Sequence, residues 1–252
     1  MRPAIASWLS TARCASPEPS DARSTCSPSE GSSRALRRID RRSVLIGGAA
    51  LALAPRPSWA AGGTRKFKLV RGGSDVGYHN MTAAREGDRF TMAVDVELRI
   101  KFLGVTAYLY QLDYREVWEG GRLISLEGKT LDDGDEDFVR LTRVGDGFRI
   151  DGTGYTGPAN GDATPTSYWN YDAAFDGGRW ISTQSGKLFD MNFRTSSWNQ
   201  GGEQVDASGD FETRLFYDAD REWRGCVFDA GGVDCEYVQT DPGPAFRTLL
   251  QG

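Results

Sequence analysis

FTMAVDVELRIKF, residues 90–102, alternates apolar and polar side chains without a break. Because successive side chains of a β-strand point to opposite faces of a sheet, this pattern predicts a strand with one buried and one solvated face. Leu103-Gly104 follows as a bend, and from there the even positions up to residue 118 are mostly aromatic. Residues 90–118 therefore predict a hairpin whose inner face is apolar and rich in tyrosine.

Further segments with strand character lie on both sides of this hairpin, separated by clusters of Gly and Asp. They are residues 67–70, 76–83, 122–131, 137–144, 148–150, 179–183, 187–195, 210–217, 222–229 and 233–240. Residues 153–176 are rich in Gly and Pro and predict a long loop with one helical turn. We expect an all-β domain of about ten to twelve meandering antiparallel strands with little helix, folded as one curved sheet, a half-barrel or a sandwich.

The N-terminal residues have the features of an export signal. Arg41-Arg42 precedes a weakly apolar stretch, residues 44–54, and small residues lead to a cleavage site between Ala60 and Ala61. The apolar stretch is shorter than the roughly 20 residues that span a bilayer, so we expect no stable membrane insertion. We therefore predict a disordered extension (1–36), a twin-arginine signal peptide (37–60) and one domain (61–252), exported to the periplasm or secreted, with the twin-arginine translocase and signal peptidase as partners.

The charge of the predicted mature domain excludes one class of partner. Residues 61–252 hold 21 basic and 31 acidic side chains, a net charge of −10. A domain of this sign repels phosphate backbones and anionic head groups, so we expect neither nucleic-acid binding nor attraction to an anionic membrane surface.

Two cysteines remain in the mature domain, Cys226 and Cys235. If the hairpin turns at Ala230-Gly231, counting outward places the two cysteines opposite each other, at a separation that suits a disulfide. An oxidising compartment would favour that bond, and the alternative is two inert thiols.

Cofactor chemistry has few candidate ligands here. The chain has one histidine, His79, so a multi-histidine metal site is impossible, and phosphate-cradling and nucleophile-elbow motifs are missing from the sequence. We expect no cofactor. His79 is interpreted as a structural histidine, with a role in binding or proton transfer as the alternative.

Glu116 lies on the same face of its predicted strand as several aromatic residues. A carboxylate among aromatic rings must be paired, hydrogen-bonded or protonated. It either pairs with a neighbour such as Arg122 or belongs to a functional cleft. The candidate ligand-binding residues are His79, Tyr108, Tyr110, Tyr114, Glu116, Trp118 and Trp169, and the alternative is that these aromatic residues form a packed core.

Five motifs in a fixed order resemble a known family: VGYH (76–79), EVWEGGRL (116–123), PTSYWN (165–170), STQSGKL (182–188) and FYDADREW (216–223). The chain resembles an uncharacterised family of exported proteobacterial proteins, domain of unknown function 6134, over nearly all of residues 66–240. The resemblance implies a periplasmic β-protein, loosely similar to the half-barrels of lipoprotein carriers, and supplies no catalytic residues.

These observations favour a non-enzymatic binding protein or carrier that takes an apolar or amphipathic small molecule on a concave aromatic face. Two alternatives stay open: a hydrolase that uses Glu116 and a second carboxylate, and an envelope structural or assembly factor.

Overall fold

A computed structural model describes residues 61–175 and 177–251. The predicted extension (1–36) and signal peptide (37–60), with Arg41, Arg42 and Ala60, lie outside this range, whereas Ala61 begins the first strand. The strands are β1 (Ala61–Arg71), β2 (Ser74–Glu86), β3 (Arg89–Phe102), β4 (Val105–Glu119), β5 (Arg122–Asp132), β6 (Asp135–Val144), β7 (Gly147–Gly152), β8 (Thr156–Ala159), β9 (Ala163–Pro165), β10 (Arg179–Ile181), β11 (Leu188–Ser197), β12 (Glu203–Gly209), β13 (Thr213–Tyr217), β14 (Trp223–Asp229) and β15 (Asp234–Asp241).

These 15 strands form one sheet in the order β8-β7-β6-β5-β4-β3-β2-β1-β15-β14-β13-β12-β11-β10-β9. Every neighbouring pair is antiparallel except β9 and β10, which run parallel. The sheet is nearly closed and barrel-like, so the predicted all-β meander is confirmed. Its two end strands, β8 and β9, follow each other in the chain, and each contains a proline, Pro158 and Pro165, which cannot donate a ladder hydrogen bond.

The number of strands exceeds the predicted ten to twelve for a local reason. The predicted loop at residues 153–176 contains β8 and β9, together with one helical turn, α1 (Tyr171–Ala174), and β12 also went unrecognised. These segments are short or rich in small and polar residues, so they carry little of the alternation that identifies longer strands.

Two short helices accompany the sheet, α1 and a C-terminal helix, α2 (Phe246–Gln251). Across residues 61–175 and 177–251, the helices are too short and too polar for any to cross a bilayer.

Side chains of the wall and of the segment that follows β9 form the core inside the barrel. The indoles of Trp169 and Trp180, both 0% exposed, lie in this core. Residues 182–186 also cross the inner face, because a Cβ added to Gly128 of β5 would meet the Thr183 carbonyl oxygen at 2.4 Å. Glycine at position 128 thus permits the loop backbone to pack directly against the barrel wall.

The β3–β4 hairpin follows its predicted alternation only as far as its neighbours extend. From Phe90 to Leu98 the even positions are buried, but Phe102 is 70% exposed. The last pairing of β2 with β3 is at Leu98, and the last pairing of β5 with β4 is at Tyr110. Residues 99–109, which we call the arm, therefore extend past the last residues that pair with either adjacent strand.

The predicted disulfide is wrong, because the β14–β15 register differs from the expected one. Cys235 faces Phe228, and Cys226 pairs instead with Leu215 of β13, so the two cysteines are buried free thiols. The expected turn at residues 230–231 is a longer turn closed by Ala230 N–H donating to Val233 O (2.9 Å). The register moves by two residues, and the cysteines become diagonal rather than opposite, a separation that exceeds disulfide reach.

Candidate functional site

The aromatic face of β4 lines the interior of the barrel. Tyr108, Tyr110, Tyr114 and Trp118 are each at most 5% exposed, and Trp169 reaches the same interior from the segment after β9. The structure therefore brings together all the predicted aromatic site residues, but inside the barrel rather than on an open concave surface. They divide into two regions, one around Glu116 and one around His79.

Glu116 lies at the end of the barrel where β4 approaches its turn to β5, and its side chain is fully buried. Its Oε2 accepts hydrogen bonds from Trp118 Nε1 (2.8 Å) and Trp169 Nε1 (2.9 Å), whereas Oε1 has no partner among the described residues. The ring of Trp169 packs in turn on Phe90 and on Phe246 of α2. Glu116 thus links the wall of the barrel to the segment that fills it.

Burial raises the pKa of Glu116, and the hydrogen bonds from the two indoles oppose that shift. The alternative pairing with Arg122 is wrong, because Arg122 lies at the surface and contacts Asp146 at 3.4 Å. Arg122 belongs to the exposed end of β5, where its side chain extends into water.

We expect the free energy of unfolding of Glu116→Gln at pH 7 to be no more than about 1 kcal/mol below that of the wild type. The reason is that the amide oxygen still accepts hydrogen bonds from both indoles, while the buried charge is removed. Since the pKa of Glu116 is raised in the folded protein, the wild type becomes more stable as the pH falls from the raised pKa toward the ordinary pKa of a glutamate. The variant lacks this gain. Urea unfolding at several pH values measures both effects.

Glu116→Ala is the matched control, because it leaves two buried indole N–H groups without a hydrogen-bond acceptor and opens a cavity. We expect it to lose about 2–4 kcal/mol. Equal losses for the Gln and Ala variants would contradict this assignment of Glu116 as a hydrogen-bond acceptor within the core.

His79 lies on β2 within an aromatic cage. Its ring centroid is 5.2 Å from Tyr237, 5.4 Å from Trp223 and 5.9 Å from Phe67. Burial lowers the pKa of His79 to about 3, so the imidazole is neutral at physiological pH. Neither ring nitrogen has a hydrogen-bond partner among the described residues, although a neutral imidazole presents one donor and one acceptor.

A second buried polar group lies across the barrel interior, on β5. Asp132 Oδ1 accepts a hydrogen bond from the Tyr108 hydroxyl (2.7 Å), while Asp132 Oδ2 and Thr130 Oγ1 have no partner among the described residues. Burial raises the pKa of Asp132. His79 and Thr130 lie in one row of paired residues that runs across β2, β3, β4 and β5. Burial, together with the nearby Asp132, raises the pKa of Tyr110 beside this row.

A buried ion pair at the Glu116 end was missed by sequence reasoning. Arg65, 1% exposed, donates to Glu222 Oε2 (2.8 Å), and Glu222 also accepts the backbone N–H groups of Phe246 and Arg247 at the start of α2. The alternation along β1 places Arg65 on its inward face, so a buried cation could have been predicted from the sequence. Its partner could not, because it is 157 residues away in sequence.

The outer face of β1–β6 carries a groove of about 570 Å³ with charged walls. Asp95 and Asp113 face each other across β3 and β4 in its floor, and burial together with Asp95 raises the pKa of Asp113. The described residues include no group of three or more His, Cys, Asp or Glu side chains placed to hold a metal ion. These outward-facing carboxylates were not predicted as site residues, because alternation alone marks them as solvated.

Comparison with known proteins identifies the family but no activity. The family model of the domain of unknown function DUF6134 matches residues 67–240, and no curated protein matches the chain. One solved structure, a β-barrel-like protein of domain of unknown function DUF1849 from Brucella abortus, is similar at a TM-score of 0.47 and 8% identity. The alignment covers 71% of this chain and 96% of that one.

Proposed function

From the premise that this chain belongs to the DUF6134 family, whose description names no activity, we propose that it is an exported, non-enzymatic binding protein or carrier for a small amphipathic molecule. The site is the part of the barrel interior around His79, Tyr110, Thr130 and Asp132, away from Glu116.

One observation carries the proposal: buried polar atoms of His79, Thr130 and Asp132 have no partner among the described residues and lie within a largely aromatic interior. A buried polar atom left without a hydrogen bond costs about 1–3 kcal/mol, so folded proteins rarely keep several together. Ligand sites typically combine apolar walls with a few polar groups that fix orientation. A bound molecule that hydrogen-bonds to these atoms would offset their desolvation.

The chemistry of the unpartnered atoms specifies the ligand class. Asp132 Oδ2 accepts hydrogen bonds, and neutral His79 offers one donor and one acceptor. The aromatic rings around His79 and the inward face of β4 favour an apolar body. We therefore infer a molecule with an apolar body and a hydroxyl, amine or amide N–H group.

The hydrolase alternative has less support, because Glu116 is 0% exposed and its Oε2 is held by two indoles within the packed core. A catalytic carboxylate must reach the reacting bond.

Native mass spectrometry of the protein purified from cells, followed by titration with the neutral fluorescent amine 1-aminoanthracene, tests the proposal. We expect a bound small molecule or saturable binding of the probe. Thr130→Val should weaken binding without lowering the melting temperature, because the replaced hydroxyl has no protein partner. Thr142→Val, on the exposed face of β6, is the matched control and should bind as the wild type does. A protein that carries no ligand and does not bind the probe would refute the proposal.

A further inference from the structure

The arm ends in an apolar tip that contacts water. Phe102 is 70% exposed, Leu103 89% and Val105 70%, and they follow one another around the β3–β4 turn. Surface hydrophobic residues that occur singly need no explanation, but a cluster at the end of a projecting ribbon indicates an interaction surface.

The backbone conformation at the tip is one that leucine rarely adopts. Leu103 has φ +50°, in the left-handed region that Gly, Asn and Asp favour. Other two-residue hairpin turns of this sheet use residues suited to that region, Gly72-Gly73, Gly120-Gly121 and Asp133-Gly134. Leu103 therefore does not serve the turn itself.

The arm reaches well beyond the acidic hairpin beside it. Its four residue pairs, from Arg99 opposite Leu109 to Phe102 opposite Val105, lie beyond the last pairings of β2 and β5 with this hairpin. The neighbouring β5–β6 turn stops at the base of the arm, where Asp133 N–H donates to Leu109 O. The carboxylates of that turn can remain in water while the tip enters a less polar phase.

The apolar and basic side chains follow one another along the arm in the order that suits a lipid surface. Residues 98–112 contain two basic residues, Arg99 and Lys101, and no acidic one, although the domain as a whole is acidic. Exposed Lys101 lies one step behind the apolar tip. Aromatic and aliphatic side chains in front and cations behind correspond to the acyl chains and phosphates of a bilayer interface.

We propose that the tip of the arm, Phe102, Leu103 and Val105, inserts reversibly into the interface of a phospholipid bilayer, with Lys101 at the level of the phosphates. The inner face of the arm continues from buried Leu98 through half-buried Ile100 to Phe102. The inference does not depend on the proposed ligand site, since it concerns the outside of the barrel.

Flotation with phosphatidylcholine vesicles containing a minor fraction of phosphatidylglycerol tests the proposal on the full chain. We expect the double variant F102S/L103N to lose at least about tenfold in vesicle partitioning, because two apolar side chains no longer leave water. Its melting temperature should not fall, since asparagine suits the left-handed conformation at residue 103. Val144→Asn is the matched control: it removes a side chain that is 62% exposed at the last residue of β6, at the opposite end of the barrel, and it should float as the wild type does.

A local reporter separates the arm from any other apolar segment of the chain. Phe102→Trp should show extra fluorescence quenching by lipids brominated on their acyl chains, relative to the wild type. Absence of this extra quenching, or equal flotation of F102S/L103N and the wild type, would overturn the proposal. A lower sedimentation coefficient of F102S/L103N without vesicles would also overturn it, by assigning the tip to contact between two copies of the chain.

Discussion

Arg65→Met is expected to lower the free energy of unfolding by about 3–5 kcal/mol, because it leaves the carboxylate of Glu222 buried without its counter-ion. Arg65 and Glu222 are 1% and 4% exposed, and the guanidinium also donates to the carbonyl oxygens of Trp223, Pro242 and Pro244. One residue of β1 therefore holds the start of β14 and the segment that leads into α2. Its removal leaves several acceptors without a donor as well as an uncompensated charge.

Urea unfolding of three variants distinguishes the charge from the packing. R65M/E222Q should be less destabilised than R65M, because the buried charge is removed together with its partner. Arg89→Ala is the surface control: its pair with Glu119 is roughly half exposed on both sides and should contribute at most about 1 kcal/mol. If R65M cost no more than Arg89→Ala, the ion pair would have no structural importance.

The second large effect is a loss of stability in acid that arises from His79. Burial lowers its folded-state pKa to about 3, whereas the unfolded chain protonates near 6.5. Between these values the unfolded state binds more protons than the folded state, so stability falls as pH falls through this window. A difference of this size corresponds to about 4–5 kcal/mol at pH 3 relative to pH 7.

The chain has one histidine, which makes the measurement direct. Urea unfolding between pH 7 and pH 4 should show a steeper loss for the wild type than for His79→Leu, which keeps an apolar side chain in the aromatic cage. Carboxylates titrate in both proteins and cancel in the comparison. The imidazole proton resonances should also stay at their neutral position down to about pH 4. Identical pH profiles for the two proteins would contradict the dry environment assigned to His79.

Alternation predicted the long strands well because it reports burial directly. Met92, Val94 and Val96 of β3 are buried as their parity requires. It failed at Phe102, since burial there depends on how far the neighbouring strands extend. It also failed for the cysteines, because the register of β14 and β15 follows from the length of the turn and not from the strands themselves.

The candidate site was predictable only in part for a similar reason. The parity of Glu116 indicated a buried carboxylate, but one of its two donors, Trp169, comes from a segment 53 residues away with no regular pattern. The rings that surround His79 come from three separate strands, β1, β14 and β15. Contacts between distant segments cannot be read from local periodicity.

The pairing of β1 with β15 has a consequence for how the protein is made. Lys66 to Arg71 pair with residues 235–241, so the first strand has no partner on one side until those residues have left the ribosome. Strands β1 to β8 can form hairpins in order during synthesis, yet an unpaired edge stays open to other nascent chains throughout. The pairing of β1 with β15 is then a late step that joins the two halves of the sheet, and such non-local pairing is slow. A chain truncated before residue 235 should accordingly aggregate rather than accumulate as a smaller barrel.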